Sequence, residues 1–222
     1  MPPTVLLDVD GTLVDSNDAH AQSWVAAFNE AGVDVSADRV RRAIGMGGDK
    51  LMPHVAGLSE ESREGRRISK RRGEIFREQF LPHVAAFPRV RELVERFRSD
   101  GYTIVVASSA QADELDALLQ IAAIADLIPN RASSNDADRS KPDPDIVRAA
   151  LQRSGAAADQ ALMLGDTPYD VEAAQRAGIG IVAVESGGWG APDLRGAVEI
   201  HPGVAEICQH YDQSAFARLI HR

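Results

Sequence analysis

Apolar runs at Val5–Val9, Tyr102–Ala107, Ala161–Gly165 and Ile179–Val184 are separated by stretches with helical periodicity. Runs that are apolar almost throughout suit strands covered on both faces, and strands joined through helices pair in parallel. Weaker runs near Asn130–Ser133 and Val198–Ile200 can extend the same sheet. Proline openings and glycine stops mark the intervening helices. Pro88 to Gly101 places Val90, Leu93, Val94 and Phe97 on one face, and Pro142 to Gly155 turns Ile146, Ala150 and Leu151 inward. Leu115, Leu118 and Leu119 mark a further helix, and Asp170 to Gly178 another. The expected fold is α/β, a Rossmann-like parallel sheet with helices on both faces.

Residues 16–83 break this alternation and read as helix throughout. Trp24, Phe28 and Ala31 form one stripe, followed by Val40 and Ile44 and then by Ile68, Ile75 and Phe76. An insertion directly after the first strand cannot join the sheet. The expected organisation is therefore a core of residues 1–15 and 84–222 carrying an inserted all-helical cap of residues 16–83. From Arg63 to Arg77 the chain has seven Lys or Arg residues and only Glu64 and Glu74 as acids. This reads as the solvated face of a long cap helix rather than a polymer-binding strip. The glycine-rich loop Gly45 to Lys50 is either a plain turn between helices or a segment descending onto a site below.

The 222 residues are 44% hydrophobic, enough for a core, yet no stretch is long and apolar enough for a membrane span. Met1-Pro2-Pro3-Thr4 carries no basic region, so no signal peptide is expected. The single cysteine, Cys208, suits a reducing compartment, and a cytoplasmic protein is expected. A formal net charge of −9 argues against a nucleic-acid partner. No obvious apolar stripe marks an interface, so a monomer or a weak homo-oligomer is expected.

The chemistry gathers at strand ends, where open parallel sheets bind ligands. Asp8 and Asp10 of Asp8-Val9-Asp10-Gly11-Thr12 follow the first strand; Ser108 follows the second; Lys141 precedes a helix; Asp166 and Asp170 follow the third long strand. Neighbouring side chains on a strand face opposite ways, so one site can use both Asp8 and Asp10 only if the backbone bends, and Gly11 supplies that freedom. Like charges about 4 Å apart repel by roughly 4 kcal/mol at an effective dielectric near 20, so the gathered acids call for a cation. Oxygen ligands alone favour a hard ion such as Mg²⁺. Ser108 and Lys141 add a hydroxyl and a positive charge, which together describe a pocket for a phosphoryl group.

LLDVDGTLVDS at residues 6–16, a serine after a hydrophobic strand, Lys141-Pro142-Asp143-Pro144, and Gly165-Asp166 with Asp170 resemble, in order and spacing, the motifs of the haloacid dehalogenase superfamily. The helical insertion resembles the cap of its phosphoglycolate phosphatase and β-phosphoglucomutase branch. The resemblance implies a Mg²⁺-dependent phosphatase acting on a small phosphorylated metabolite, phosphoglycolate-like or sugar-phosphate-like. It assigns Asp8 as nucleophile and metal ligand, and Asp10 as general acid then base, with its backbone carbonyl on the metal. Asp166 would bind the metal directly and Asp170 directly or through water; Ser108 and Lys141 would hold the phosphate. Ser109 is a further candidate substrate contact, though Ser108 or Ser109 could instead cap the helix from Gln111, and Asp170 its own helix. His20, one helical turn from Trp24, is either packing or a neighbour of the substrate, as in the mutase branch. Gly47 and Lys50 are candidate substrate contacts from the cap loop, while Arg41, Arg42 and His54 are further cap side chains able to reach a carboxylate or sugar hydroxyls. The alternatives are a β-phosphoglucomutase-like phosphomutase and a non-catalytic phosphate-binding module. The mutase cap carries an arginine where this loop has Gly47, Gly48 and Lys50, a departure that favours hydrolysis.

Overall fold

The computed structural model describes residues 2–128, 130–133 and 136–220. Six strands, β1 (Thr4–Leu7), β4 (Thr103–Ala107), β5 (Asn130–Ala132), β6 (Ala161–Gly165), β7 (Gly180–Val184) and β8 (Glu199–His201), form one sheet in the order β5-β4-β1-β6-β7-β8. Every pairing in it is parallel. The strand period of two divides each strand between two apolar layers. Val5, Leu7, Ile104, Val106, Leu162, Leu164, Val182 and Val184 join one cluster. Leu6, Val105, Ala107, Ala161, Met163, Ile181 and Ala183 join the other.

The first layer is covered by α5 (Val90–Ser99), α6 (Ala112–Ile121), α9 (Val204–Gln209) and α10 (Ala215–Ile220), and the second by α7 (Asp145–Ser154) and α8 (Pro168–Ala177). Gly155 and Gly178 end α7 and α8 in the left-handed conformation, as the glycine stops predict. Leu151, expected inward, is only partly buried.

The first strand stops at Leu7, two residues short of the apolar run. The chain then turns tightly: the amides of Thr12, Leu13 and Val14 all donate to the Val9 carbonyl, at 3.3, 2.8 and 3.0 Å. Gly11 takes φ +76, which an L side chain rarely adopts. A short antiparallel ribbon of β2 (Val14–Asp15) and β3 (Ala85–Ala86) leads into and out of the insertion.

The insertion holds α1 (Asn17–Glu30), α2 (Ala37–Ala43), α3 (Gly48–Ala56) and α4 (Arg63–Ile75), the last continuing into a π turn at Phe76–Phe80. Trp24, Phe28, Val40, Ile44, Leu51, Met52, Ile68 and Ile75 form a third apolar cluster. Phe76 behaves differently from its place in the expected cap stripe. It packs into the core cluster and stacks on His20, with ring centroids 4.1 Å apart. The sequence-based fold, a doubly covered parallel sheet with a helical insertion, is the one observed.

Phe97 lies fully buried beneath the sheet, edge-on to Phe216 at 4.8 Å and to Tyr102 at 5.5 Å. Replacing it by alanine should lower the unfolding free energy by about 3–5 kcal/mol, measured by urea denaturation.

Candidate active site

The bend after β1 brings Asp8 and Asp10 to one cavity despite their alternation along the chain. Lys141 Nζ lies 2.5 Å from Asp8 Oδ1 and 2.7 Å from Asp170 Oδ1, with all three side chains buried. Asp8, Asp166 and Asp170 each offer a carboxylate oxygen within 4.8 Å of the others. Asp170 also caps α8 in a reciprocal box with Thr167, so the capping and charge-cluster readings are not exclusive.

Burial raises the Asp8 carboxyl most strongly, Asp170 and Asp10 raise it further, and Lys141 opposes them, leaving it at about 7. Asp166 stands well above the ordinary carboxylate range through burial and the charges of Asp8 and Asp170. Burial alone would lower the Lys141 ammonium, but Asp170 and Asp8 outweigh it and raise it. One lysine does not neutralise three buried acids. Oxygens around an octahedral Mg²⁺ at about 2.1 Å lie at most about 4.2 Å apart, so small side-chain shifts suffice for these residues to fit that ion.

Two neutral residues that the sequence reading left without a role brace the acids. Thr12 Oγ1 is 3.1 Å from Asp8 Oδ2 and 2.9 Å from Asp166 Oδ1. Asn17 Nδ2 donates to Asp166 Oδ2 at 2.9 Å and to the Gly187 carbonyl at 3.2 Å. A Cβ at Gly11 or Gly187 would meet the Asp166 carboxylate, so the backbone closes around it on both sides.

Asp10 turns its carboxylate away from this group. Ser16 Oγ donates to it at 2.5 Å and His20 Nε2 lies 2.8 Å from it. Burial would raise Asp10, but the charge and hydrogen bond of His20, with that of Ser16, hold it below the ordinary range. The Asp10 carboxylate is thus not part of the three-acid cluster.

Ser108 is buried and its Oγ accepts the Ala110 amide at 3.1 Å. Ser109 lines both cavities at the site, and its buried Oγ has no hydrogen-bond partner among the described residues. Gly47 lines the same space, where an added Cβ would crowd Ser140 at 2.6 Å. Lys50 departs from the expected substrate contact. Its Nζ pairs with Asp143 Oδ2 at 2.7 Å and does not line the cavities, because the start of α3 lies over the loop around Lys141.

Arg72 is the cap side chain that sequence reasoning missed. It lines the cavity with Asp8, Asp10 and His20, and donates to both oxygens of buried Glu114 at 3.0 and 2.9 Å. Its spacing held the signal: Arg72 is four residues after Ile68 and three before Ile75, on the buried stripe of α4 rather than the solvated face.

Among the described residues no helix is long and apolar enough to cross a membrane. A phosphoglycolate phosphatase of Rhodospirillum rubrum is 30% identical over 202 residues, covering 84% of this chain and 81% of that one. The pyrophosphatase PpaX of Oceanobacillus iheyensis is 27% identical over 199 residues, covering 90% and 89%. The crystal structure of a hydrolase from Pseudomonas syringae superposes with a TM-score of 0.87 at 27% identity, over 96% of this chain and 99% of that one. A family model described as haloacid dehalogenase-like hydrolase matches residues 5–184. That span runs from the first residues of β1 to the end of β7 and takes in every acid of the site, and the chain belongs to the haloacid dehalogenase-like hydrolases.

Proposed function

We propose that this hydrolase is a Mg²⁺-dependent phosphatase of small phosphomonoesters, working through an aspartyl-phosphate on Asp8. The observation that carries the reading is the buried lysine bridging two acids of a three-acid cluster at the carboxyl edge of the sheet. The names of the similar proteins point the same way. Asp8, Asp166 and Asp170 would hold Mg²⁺, with the main-chain carbonyl of Asp10. When bound, the ion supplies positive charge to the phosphoryl oxygens and restores Asp8 to its ionised, nucleophilic form.

Asp8 attacks phosphorus as the bond to the leaving alcohol breaks, and Lys141 and Ser108 hold the phosphoryl oxygens through the transfer. Asp10 gives the alcohol a proton, then takes one from the water that hydrolyses the acyl phosphate. Its depressed proton affinity keeps it ionised in the resting site. For the first half it must acquire a proton, and His20, 2.8 Å away, is placed to supply it. Residues 16–83 act as the cap over a core of residues 1–15 and 84–222, excluding bulk water during transfer.

A phosphomutase has to grip a second phosphate from the cap, and here Lys50 is bound to Asp143 and Arg72 to Glu114. The reading therefore favours hydrolysis over the mutase. A reducing, cytoplasmic setting suits the free thiol of Cys208. Val198 is the exposed large apolar side chain among the described residues, which suits a monomer or weak homo-oligomer.

The direct test is phosphate release from p-nitrophenyl phosphate with Mg²⁺ and with EDTA. Release should require the metal, and Asp8→Asn should cut kcat by about 10⁴-fold or more with unchanged circular dichroism. Retained turnover in that variant rules out Asp8 as nucleophile. His20→Ala should lower kcat by about 10²-fold with little change in KM, measured with the same ester. Metal-free protein should also show a pH signature. Asp8 is protonated in the fold up to about pH 7 but ionises near 3.8 when unfolded, so the folded state holds the extra proton between those values. Its stabilising contribution is present below that window and is lost as pH rises through about 7. The increase in Tm on adding Mg²⁺ should accordingly be larger at pH 8 than at pH 5, read by differential scanning fluorimetry.

A further inference from the structure

A second anionic end on a substrate is held most strongly by a free cation on the cap. Here Arg41, Arg42, Lys50 and Arg72 are committed elsewhere. Arg41 donates to Asp18 and, at 2.8 Å, to the Gly187 carbonyl; the Arg42 guanidinium lies 5.3 Å from the centre of the Trp189 ring. Lys50 is paired with Asp143. Arg72 reaches the chamber, but Glu114 neutralises it and its guanidinium lies over the Trp24 ring at 5.2 Å.

The chamber beyond the catalytic acids has a volume of about 260 Å³ and lies between cap and core. Arg72 is the sole Lys or Arg among the described residues that line it, against Asp49, Glu60 and Asp138. Its other polar walls are hydroxyl and amide groups: Ser69, whose Oγ donates to Glu60 at 2.8 Å, Gln111, and Ser109 with its unpartnered buried hydroxyl. Trp24 contributes an apolar wall. Carboxylates in a partly enclosed site repel an incoming anion but accept hydrogen bonds from alcohols, and a buried hydroxyl without a partner favours a ligand that pairs with it.

Building on the phosphatase reading, we infer that the substrate is a monophosphate ester of a neutral, hydroxyl-bearing alcohol, and that the chamber discriminates against esters with a second phosphate or carboxylate. This sets the chain apart from what the names of its two similar enzymes say of those proteins, phosphoglycolate and pyrophosphate each bearing a second anionic group.

Two matched pairs of esters test this: 2-hydroxyethyl phosphate against 2-phosphoglycolate, and fructose 6-phosphate against fructose 1,6-bisphosphate. In both pairs kcat/KM should be at least about tenfold higher for the member without the second anion, equivalent to about 1.4 kcal/mol. The ratio should shrink as NaCl is raised to about 0.5 M, because screening weakens repulsion between separated charges. It should also fall toward one in Glu60→Gln. A smaller preference in either pair, or a ratio unmoved by both salt and Glu60→Gln, overturns this inference while hydrolysis of p-nitrophenyl phosphate still stands. No phosphate release from any of the five esters overturns the phosphatase reading itself, and this inference with it.

Discussion

The structure is organised around the cost of holding several carboxylates in a dry pocket at one edge of a sheet. Asp8, Asp166 and Asp170 are each almost fully buried, and one lysine lies among them. Such a cluster is tolerable only if donors surround it and protons or a cation offset its charge. Thr12, Asn17, Thr167 and the local backbone amides supply the donors. The raised proton affinities of Asp8 and Asp166 follow first from burial and then from repulsion by the neighbouring acids.

The sheet and the insertion play different parts in that arrangement. The ends of β1, β4 and β6 and the loop before α7 deliver the acids, the serine and the lysine from distant points of the chain, while Asn17 and His20 of the insertion hold Asp166 and Asp10. The insertion completes the enclosure through polar contacts on the core loops. Ser140 is held by Asp49, Lys50 pairs with Asp143, and the Tyr169 hydroxyl donates to the Arg42 carbonyl at 2.6 Å. These contacts flank Lys141 and Asp170 on either side. Polar pairs of this kind exchange readily with water.

The sheet, its order of elements and the location of the insertion were legible because each rests on local periodicity. The acids were legible because carboxylates at the ends of apolar runs are rare without a task. Arg72 escaped notice because it sits within a basic stretch where charge suggested solvent, although its offset from Ile68 and Ile75 put it on the buried stripe. Phe76 was assigned to the cap by the same periodicity, yet at the start of the π turn it packs on His20 and in the core cluster. Lys50 was read as a ligand contact since nothing in the sequence reveals that Asp143, over ninety positions away, would lie beside it.

By itself, the amino-acid sequence determined the layered α/β core, the helical insertion and the acids and lysine that gather at the edge of the sheet, because these follow from side-chain period and residue type. Tertiary structure alone decided how charge is distributed among them: which acids share Lys141, that Asp10 faces His20 instead of the other carboxylates, and that Lys50 and Arg72 pair with Asp143 and Glu114. Ion pairs and hydrogen bonds join residues brought together by folding, and their partners follow from distances in space that spacing along the chain does not encode.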